Sequence, residues 1–325
     1  MARQSVTQQV TADSPPTRVR GHGQIQDLPL PFGDRSGDDE PHHRAPLFGD
    51  PALISEIIAW IPVGGFRRGR LNGRDGWKVL FGSGSNDHRF MLRKFLTAEW
   101  RSLAMLNYEV DPAVLKPHVP PGTELDSCQG VVYASMVGFL FLRTRVLGVA
   151  IPGHQNFEEV NLRFYVRRKE ADGWKRGVVF LKEIVPKRAV AVLARWLYNE
   201  NYVAMPMAHR LEGDRVEYSW LNAGTWSRLA VEIAGEPALA ASGSLEEFIT
   251  EHYWGYTRQR DGSCLEYRVE HVPWRLWQTR RAQLSCDVAN LYGPEFVAAL
   301  SRAPRSAFLA EGSPIYVYRG QTVIK

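Results

Sequence analysis

Apolar positions are sparse along residues 1–90, without period over 1–48, and dense from Met91 onward. Residues 1–48 are polar, rich in Pro, Gly, Asp, Arg and His, and bury too little apolar surface to order themselves. Between them and the dense region stands one helical stripe. Leu53, Ile54, Ile57, Ile58 and Ile61 share a face, Asp50 suits the cap, Pro51 suits the first turn, and Gly64-Gly65 would end the helix. Residues 66–90 return to Arg and Gly. The pattern therefore predicts an N-terminal extension over 1–90, largely disordered apart from a short helix at 51–62, and a folded domain over 91–325. It also makes Met91 the expected true start, with the leader arising from gene calling.

Within the domain most of the rhythm has a period of two. Leu103–Val110 reads as a strand, and Val131–Val146 as a long strand or a bent pair. Over 159–168 the alternation is clean: Val160, Leu162, Phe164 and Val166 on one face, Glu159, Asn161, Arg163 and Tyr165 on the other. Gly177–Val185 is nearly all apolar, as for a strand covered on both faces. Tyr202–Leu211 and Val216–Leu221 form a hairpin around Glu212-Gly213-Asp214. Further strands are expected at 229–234, 265–272, 278–288, 306–310 and 315–318. Helical signals are few. They comprise a short helix over 112–118, one over 189–198 with Val192, Leu193, Trp196 and Leu197 inward, and a short one at Pro294. A further helix is capped by Ser244, with Glu247 completing a capping box. The fold class that follows is β-dominated α+β, antiparallel and barrel-like or a folded mixed sheet, with a few outer helices.

Composition narrows the function classes. The chain has 325 residues, 44% hydrophobic, enough for a sizeable core, and its net charge of +5 is scattered over 40 basic and 35 acidic residues. No basic stripe with interleaved aromatics points to nucleic acid. No apolar run reaches the ~18 residues of a membrane span. Cys128, Cys264 and Cys286 are far apart and odd in number, fitting neither a disulfide framework nor a zinc knuckle, so a reducing cytoplasm is the expected location. No metal-ligand spacing, Walker loop, dinucleotide fingerprint or nucleophile elbow occurs, and neither metal nor cofactor is expected.

Lysine is scarce in this arginine-rich chain, which gives weight to Lys182-Glu183-Ile184-Val185-Pro186-Lys187-Arg188 at the end of the most apolar strand. An amine beside another cation loses its proton more easily, and a neutral amine can attack a carbonyl to form a Schiff base. The same residues also suit a solvated turn. Glu183 sits inside the apolar run, where a carboxylate needs a partner or a function. The row Glu159, Asn161, Arg163, Tyr165 suits either a polar cavity or the wet face of a sheet. His154, in a loop, and His209, at a strand end, are further candidates, and Trp254, Tyr256, Trp274 and Trp277 suit core or cavity lining.

Four blocks carry a resemblance: Leu96-Thr97-Ala98-Glu99-Trp100-Arg101, Leu106-Asn107-Tyr108-Glu109-Val110-Asp111-Pro112, Val137-Gly138-Phe139, and Asn156-Phe157-Glu158-Glu159-Val160-Asn161-Leu162-Arg163. From about Met91 to its end the chain resembles the YqjF-like family of uncharacterised bacterial proteins, related to acetoacetate decarboxylase. The resemblance implies a closed, mostly antiparallel β cone or barrel with helices outside. More distantly, the decarboxylase pattern implies Arg101, seven residues before Tyr108, as an active-site arginine, Glu159 as an active-site glutamate, and Lys187 as the Schiff-base lysine. Here the interval from Glu183 to Pro186 is two residues shorter than in that pattern, and Arg188 replaces a second lysine.

Two ligand-handling functions follow as expectations, beside a structural or regulatory β domain with no ligand. One is a lyase of the decarboxylase, aldolase or dehydratase type on a small keto acid, with Lys187 as nucleophile, Arg101 on the substrate carboxylate and Glu159 moving protons. The other is a non-enzymatic domain binding a small molecule in the same cavity. In either, Arg163, Tyr165, Glu183 and His209 are the expected substrate-binding residues. A small carboxylate or keto acid is the expected partner, without nucleic acid or membrane, and exposed strand edges favour a homo-oligomer.

Overall fold

The structure is a computed structural model and describes residues 94–324; the expected helix at 51–62 and the rest of the 1–90 extension lie outside the described residues. The first strands are β1 (Lys94–Glu109), β2 (Glu124–Leu125), β3 (Tyr133–Val146), β4 (Phe157–Glu170) and β5 (Gly173–Val185). They are followed by β6 (Tyr202–Ala204), β7 (Met207–Glu212), β8 (Arg215–Asn222) and β9 (Thr225–Leu239). The last are β10 (Trp254–Arg258), β11 (Cys264–Glu270), β12 (Arg275–Ser285), β13 (Ser306–Tyr318) and β14 (Gln321–Ile324). The helices are short: α1 (Pro112–Leu115), α2 (Arg188–Tyr198), α3 (Leu245–Thr250), α4 (Val288–Leu291) and α5 (Val297–Leu300).

Seven strands close on themselves in the order β11-β10-β5-β4-β3-β1-β13, the ring being completed where Val269 and Glu270 pair with Val317 and Tyr316. The closure is irregular. β10 meets β5 in parallel over only two residue pairs, Trp254 with Gly177 and Gly255 with Val178. From β13 the sheet continues outward through β12, β9 and β8 to β7. This extension folds back over the ring. Val216, Tyr218 and Trp220 of β8 pack with Val160, Leu162 and Phe164 of β4 in the outer core. Gly138 permits the closest approach, since a Cβ there would stand 2.6 Å from the Tyr218 ring. The Tyr218 hydroxyl donates to the Ser102 carbonyl at 2.8 Å.

The ring separates two cores. The alternation of β4 sends Val160, Leu162, Phe164 and Val166 outward into the first and Phe157 and Tyr165 inward into the second. The row Glu159, Asn161, Arg163, Tyr165 is thus buried inside the ring, not the wet face of a sheet. β5 carries a bulge. Its register against β4 jumps between Leu162–Lys182 and Arg163–Phe180, leaving Leu181 without an opposite number. The extra residue shifts the inward parity, so Val178, Phe180 and then Glu183 line the interior. Lys182 faces the other way and donates to the Leu291 carbonyl.

Several expected elements are longer or shorter than the pattern implies. The helix expected over 112–118 is one α turn followed by a 3-10 turn. The two strands expected at 306–310 and 315–318 are one, β13, held through Gly312 at φ 81°. Of the capping box expected at Ser244 one half forms, Ser244 Oγ accepting from Glu247 N at 3.1 Å, while the Glu247 carboxylate accepts from Gly243 N at 2.6 Å instead of from Ser244 N. Of α2, Val192 and Leu193 are half-buried as expected, while the side chains of Trp196 and Leu197 lie outside the described ones. Among the described residues no helix is long and apolar enough to cross a membrane.

Candidate functional site

The interior of the ring holds a cavity of about 170 Å³. At roughly 10–15 Å³ per water, it has room for about a dozen waters, or an organic molecule of comparable atom count. Its walls are mainly apolar: Trp100 and Leu103 from β1, Phe139 and Phe141 from β3, Val178 and Phe180 from β5, and Trp274. Residues Ala189, Val190, Leu193 and Ala194 of α2 cover one side. Trp100 stands edge-on to Phe139, Phe141 and Trp274, and His271 stacks on Trp274 at 4.1 Å. These contacts fix the ring orientations.

A first group of polar side chains enters these walls in one sector. Glu159, Asn161 and Arg163 come from β4, Glu183 from β5, and Glu200 from the turn between α2 and β6. Each is at most 8% exposed. Glu159 accepts from Asn161 Nδ2 at 2.9 Å and from the Tyr202 hydroxyl at 3.0 Å. Glu200 accepts from Thr257 Oγ1 at 2.6 Å and the Tyr267 hydroxyl at 3.0 Å. Burial lifts both carboxyls to about 7 against the hydrogen bonds that favour their charge. Glu183 is likewise raised well above the ordinary range, by burial and then by the negative charges of Glu200 and Glu159. Burial likewise holds the Tyr202 and Tyr267 hydroxyls well above the usual range.

A second polar sector contains His252, 7% exposed, whose Nε2 stands 3.3 Å from Asp126 Oδ2. Asp126 also accepts from Arg176 Nε at 2.7 Å. Burial lowers the His252 and His271 imidazoles to about 4, so both are neutral at pH 7. His154 lines the cavity, with its Nδ1 2.9 Å from the Pro152 carbonyl oxygen.

Arg163 is the unusual member. It is a guanidinium 8% exposed, its Nε has no partner, and its Nη2 reaches only the Met105 sulfur at 4.0 Å. Among the described residues it makes no ion pair within salt-bridge distance. Buried guanidinium groups are ordinarily paired. More generally, ten buried side-chain polar atoms lack a partner among the described residues, and six belong to cavity-lining side chains: Trp100, Thr144, Asn161, Arg163, Glu183 and His252. Such atoms are rare in folded proteins, and their concentration here marks a place built to meet something else.

The sequence-derived candidates divide. Glu159, Arg163 and Glu183 come together at the cavity. Tyr165 lies beside it, its hydroxyl 2.6 Å from Ser135 Oγ and its ring 4.6 Å from His252. Arg101, Lys187 and His209 are not among the lining residues. Trp100 takes the inward position on β1, so its neighbour Arg101 turns outward and pairs with Glu99 at 2.9 Å. His209 sits on β7, where its Nδ1 meets Glu158 at 2.6 Å on the opposite face from Glu159. Lys187 is the half-buried N-cap of α2, preceding the helix residues that cover the cavity. The lining contains no lysine. Of the four aromatics, Trp254 and Trp274 line the cavity, and Tyr256 and Trp277 pack in the outer core. Sequence reasoning missed Asp126, Glu200, Tyr202, His252, Tyr267 and His271. Most sit in turns or short strands, where no periodicity marks a side chain as inward.

Comparison with known proteins places this architecture. The described domain is similar in fold to a crystal structure of acetoacetate decarboxylase from Legionella pneumophila, at 13% identity, a TM-score of 0.52, and 79% of this chain against 98% of that one. It is similar also to the enduracididine biosynthesis enzyme MppR in complex with pyruvate, at 13% identity, a TM-score of 0.50, and 71% of this chain against 91% of that one. These likenesses establish an acetoacetate decarboxylase-like fold. In sequence, the chain is 31% identical to the uncharacterized protein YqjF of Bacillus subtilis over 196 residues, 59% of this chain and 78% of that protein. The family model of DUF2071, described as an uncharacterized conserved protein, matches residues 97–314. With a β-rich closed ring and a match over most of its described residues, the chain belongs to the DUF2071 family.

Proposed function

We propose that the ring cavity binds a small organic carboxylate without a covalent bond to the protein, and that Arg163 holds its anionic head. The observation that carries this is the buried guanidinium lining the cavity without an ion-pair partner among the described residues. Leaving such a charge unpaired costs several kcal/mol, which an arriving carboxylate offsets. The aromatic and aliphatic walls take the ligand's apolar body. A structural neighbour solved in complex with pyruvate, itself a small carboxylate, supports the reading by analogy. The Schiff-base reading would require the Lys187 amine to reach a carbonyl in the cavity.

Calorimetric titration of the full chain with 4-methylbenzoate, acetoacetate and pyruvate tests the proposal. At least one should bind, and Arg163→Met should weaken that binding tenfold or more while the variant's thermal midpoint shows it folded. Borohydride treatment with acetoacetate or pyruvate should leave no adduct. A trapped adduct that disappears in Lys187→Ala would replace this reading with the Schiff-base enzyme.

A further inference from the structure

The cavity's polar sector has two ends of opposite hydrogen-bonding character. At one end stand Glu183 Oε2 and Asn161 Oδ1, both able to accept a hydrogen bond and both without a partner. They belong to residues directly opposite each other on β5 and β4. Opposite residues of an antiparallel pair have Cβ atoms about 5 Å apart, close enough for one ligand group to meet both. Glu159 is two residues from Asn161 on the same face, and Glu200 lines the same cavity. At the other end, two residues further along β4, stands Arg163 with an unpartnered donor.

Charge makes the same distinction. Three carboxyl groups, those of Glu159, Glu183 and Glu200, line the cavity with one guanidinium, that of Arg163, and an arriving cation favours their ionised form. A ligand that is only an anion satisfies the donor end and leaves the acceptor end unmet. A ligand bearing a cation as well satisfies both. Tyr198, Tyr202 and Tyr267 also line the cavity, and aromatic rings attract organic cations. A metal ion fits less well, because no group of three His, Cys, Asp or Glu among the described residues is arranged to hold one.

We propose that the ligand carries a protonated amine in addition to its carboxylate, with the amine seated between Glu183 and Asn161 and the carboxylate on Arg163. This rests on the carboxylate-binding reading above and names the ligand class, an amino acid in the broad sense with a short apolar body. Seating the amine draws a proton off the glutamate cluster, because the cation favours the ionised carboxylate. The groups facing the seat are Glu159 and Arg163 on β4, Glu183 on β5, Tyr198 at the end of α2, Glu200, Tyr202 on β6 and Tyr267 on β11, with His154, His252 and His271 on the remaining walls. Across pH 6–8 Glu159 and Glu200 change charge, since burial raises both to about 7, while His252 and His271 stay neutral.

Three matched probes test this on the full chain: 4-methylbenzoate, 4-methylbenzylamine and 4-(aminomethyl)benzoate. At pH 8 the bifunctional probe should bind at least tenfold tighter than 4-methylbenzoate. Raising the pH from 6 to 8 should weaken 4-methylbenzoate, which meets growing negative charge, and strengthen the bifunctional probe, whose binding at pH 7 should release protons in calorimetry across buffers of different ionisation heat. In Glu183→Gln the preference should fall toward unity. Because the pH series uses the wild-type protein, it decides the matter even if that variant does not fold. Equal or weaker binding of the bifunctional probe at pH 8, with 4-methylbenzoate still bound, overturns the amine seat and leaves the carboxylate reading standing. Binding of the amine alone, without either acid, overturns the role of Arg163 and keeps the amine seat. Binding of none overturns both.

Discussion

Asp126 is 4% exposed, yet it keeps its charge. It accepts from Arg176 Nε at 2.7 Å and from Ser127 N at 2.9 Å, and His252 Nε2 stands 3.3 Å away. Burial by itself would raise its carboxyl, but the hydrogen bonds of His252 and Arg176 and the Arg176 charge outweigh it and bring the value to about 2. Asp126→Asn keeps the shape and removes the charge. Because Arg176 is 35% exposed and can turn to water, the expected loss is about 2 kcal/mol, less than for a fully buried pair. Urea unfolding at pH 7 measures it. The difference from wild type should shrink between pH 4 and 2, as wild-type Asp126 takes up its proton. Sequence marked only some of these residues. Glu183 stands out because it interrupts an apolar run, and Glu159 and Arg163 because they alternate with one. Asp126 lies in a loop after the two-residue β2, and His252 follows α3, where burial comes from tertiary packing alone. Arg101 illustrates the converse, since spacing fixes its place in the chain but not the face of the strand it occupies.

Strand β5 does more positioning than any other element. Its bulge at Leu181 selects which of Lys182 and Glu183 enters the cavity, and its middle, at Gly177 and Val178, makes the narrow parallel contact with β10. That contact depends on Gly177. A Cβ there would lie 2.6 Å from the Trp254 carbonyl oxygen and 2.6 Å from the Tyr256 ring. The first obstacle is backbone and cannot rotate away. Gly177→Ala should cost about 3 kcal/mol, the scale of overpacking in a tight site, read as a lower urea midpoint with an unchanged slope. A substitution within 0.5 kcal/mol of wild type would mean that β10 shifts freely and that the ring is not held there. β4 was legible as a strand with one polar face because its period is unbroken over its length. The bulge was not, since Leu181 fits an all-apolar strand in either register. β10, with Gly255 beneath the Tyr267 ring, offers only five residues and no alternation to read.

Across the whole molecule, buried groups give stability opposite slopes on the two sides of neutrality. Asp126 moves from 3.8 to about 2, and His252 and His271 move from 6.5 to about 4. In each case the unfolded chain binds the proton more readily, so stability rises with pH from about 2 to 6.5 on their account. Glu159 and Glu200 move the other way, from 4.5 to about 7, and Glu183 moves upward as well. The folded state then holds protons that the unfolded chain releases. For Glu159 and Glu200 the contribution is fully present below 4.5 and is lost as pH climbs through 7, and Glu183 adds a loss of the same sign. Between 4.5 and 6.5 the histidines and glutamates oppose each other. Above 6.5 the histidine slope ends and the glutamates act alone. Each group contributes up to about 1.4 kcal/mol per pH unit, so stability should peak on the acid side of neutrality and fall by a few kcal/mol from pH 6.5 to 8. Urea titrations at half-unit intervals would show the fall, and Glu183→Gln should reduce it. An amine-bearing ligand seated on the cluster should reverse it, because a bound cation lowers the carboxyl values toward 4.5 and adds its own mass-action term. A flat profile from 6.5 to 8 would mean that the three acids are solvated in the folded state, and the charge argument for the amine seat would lose its basis.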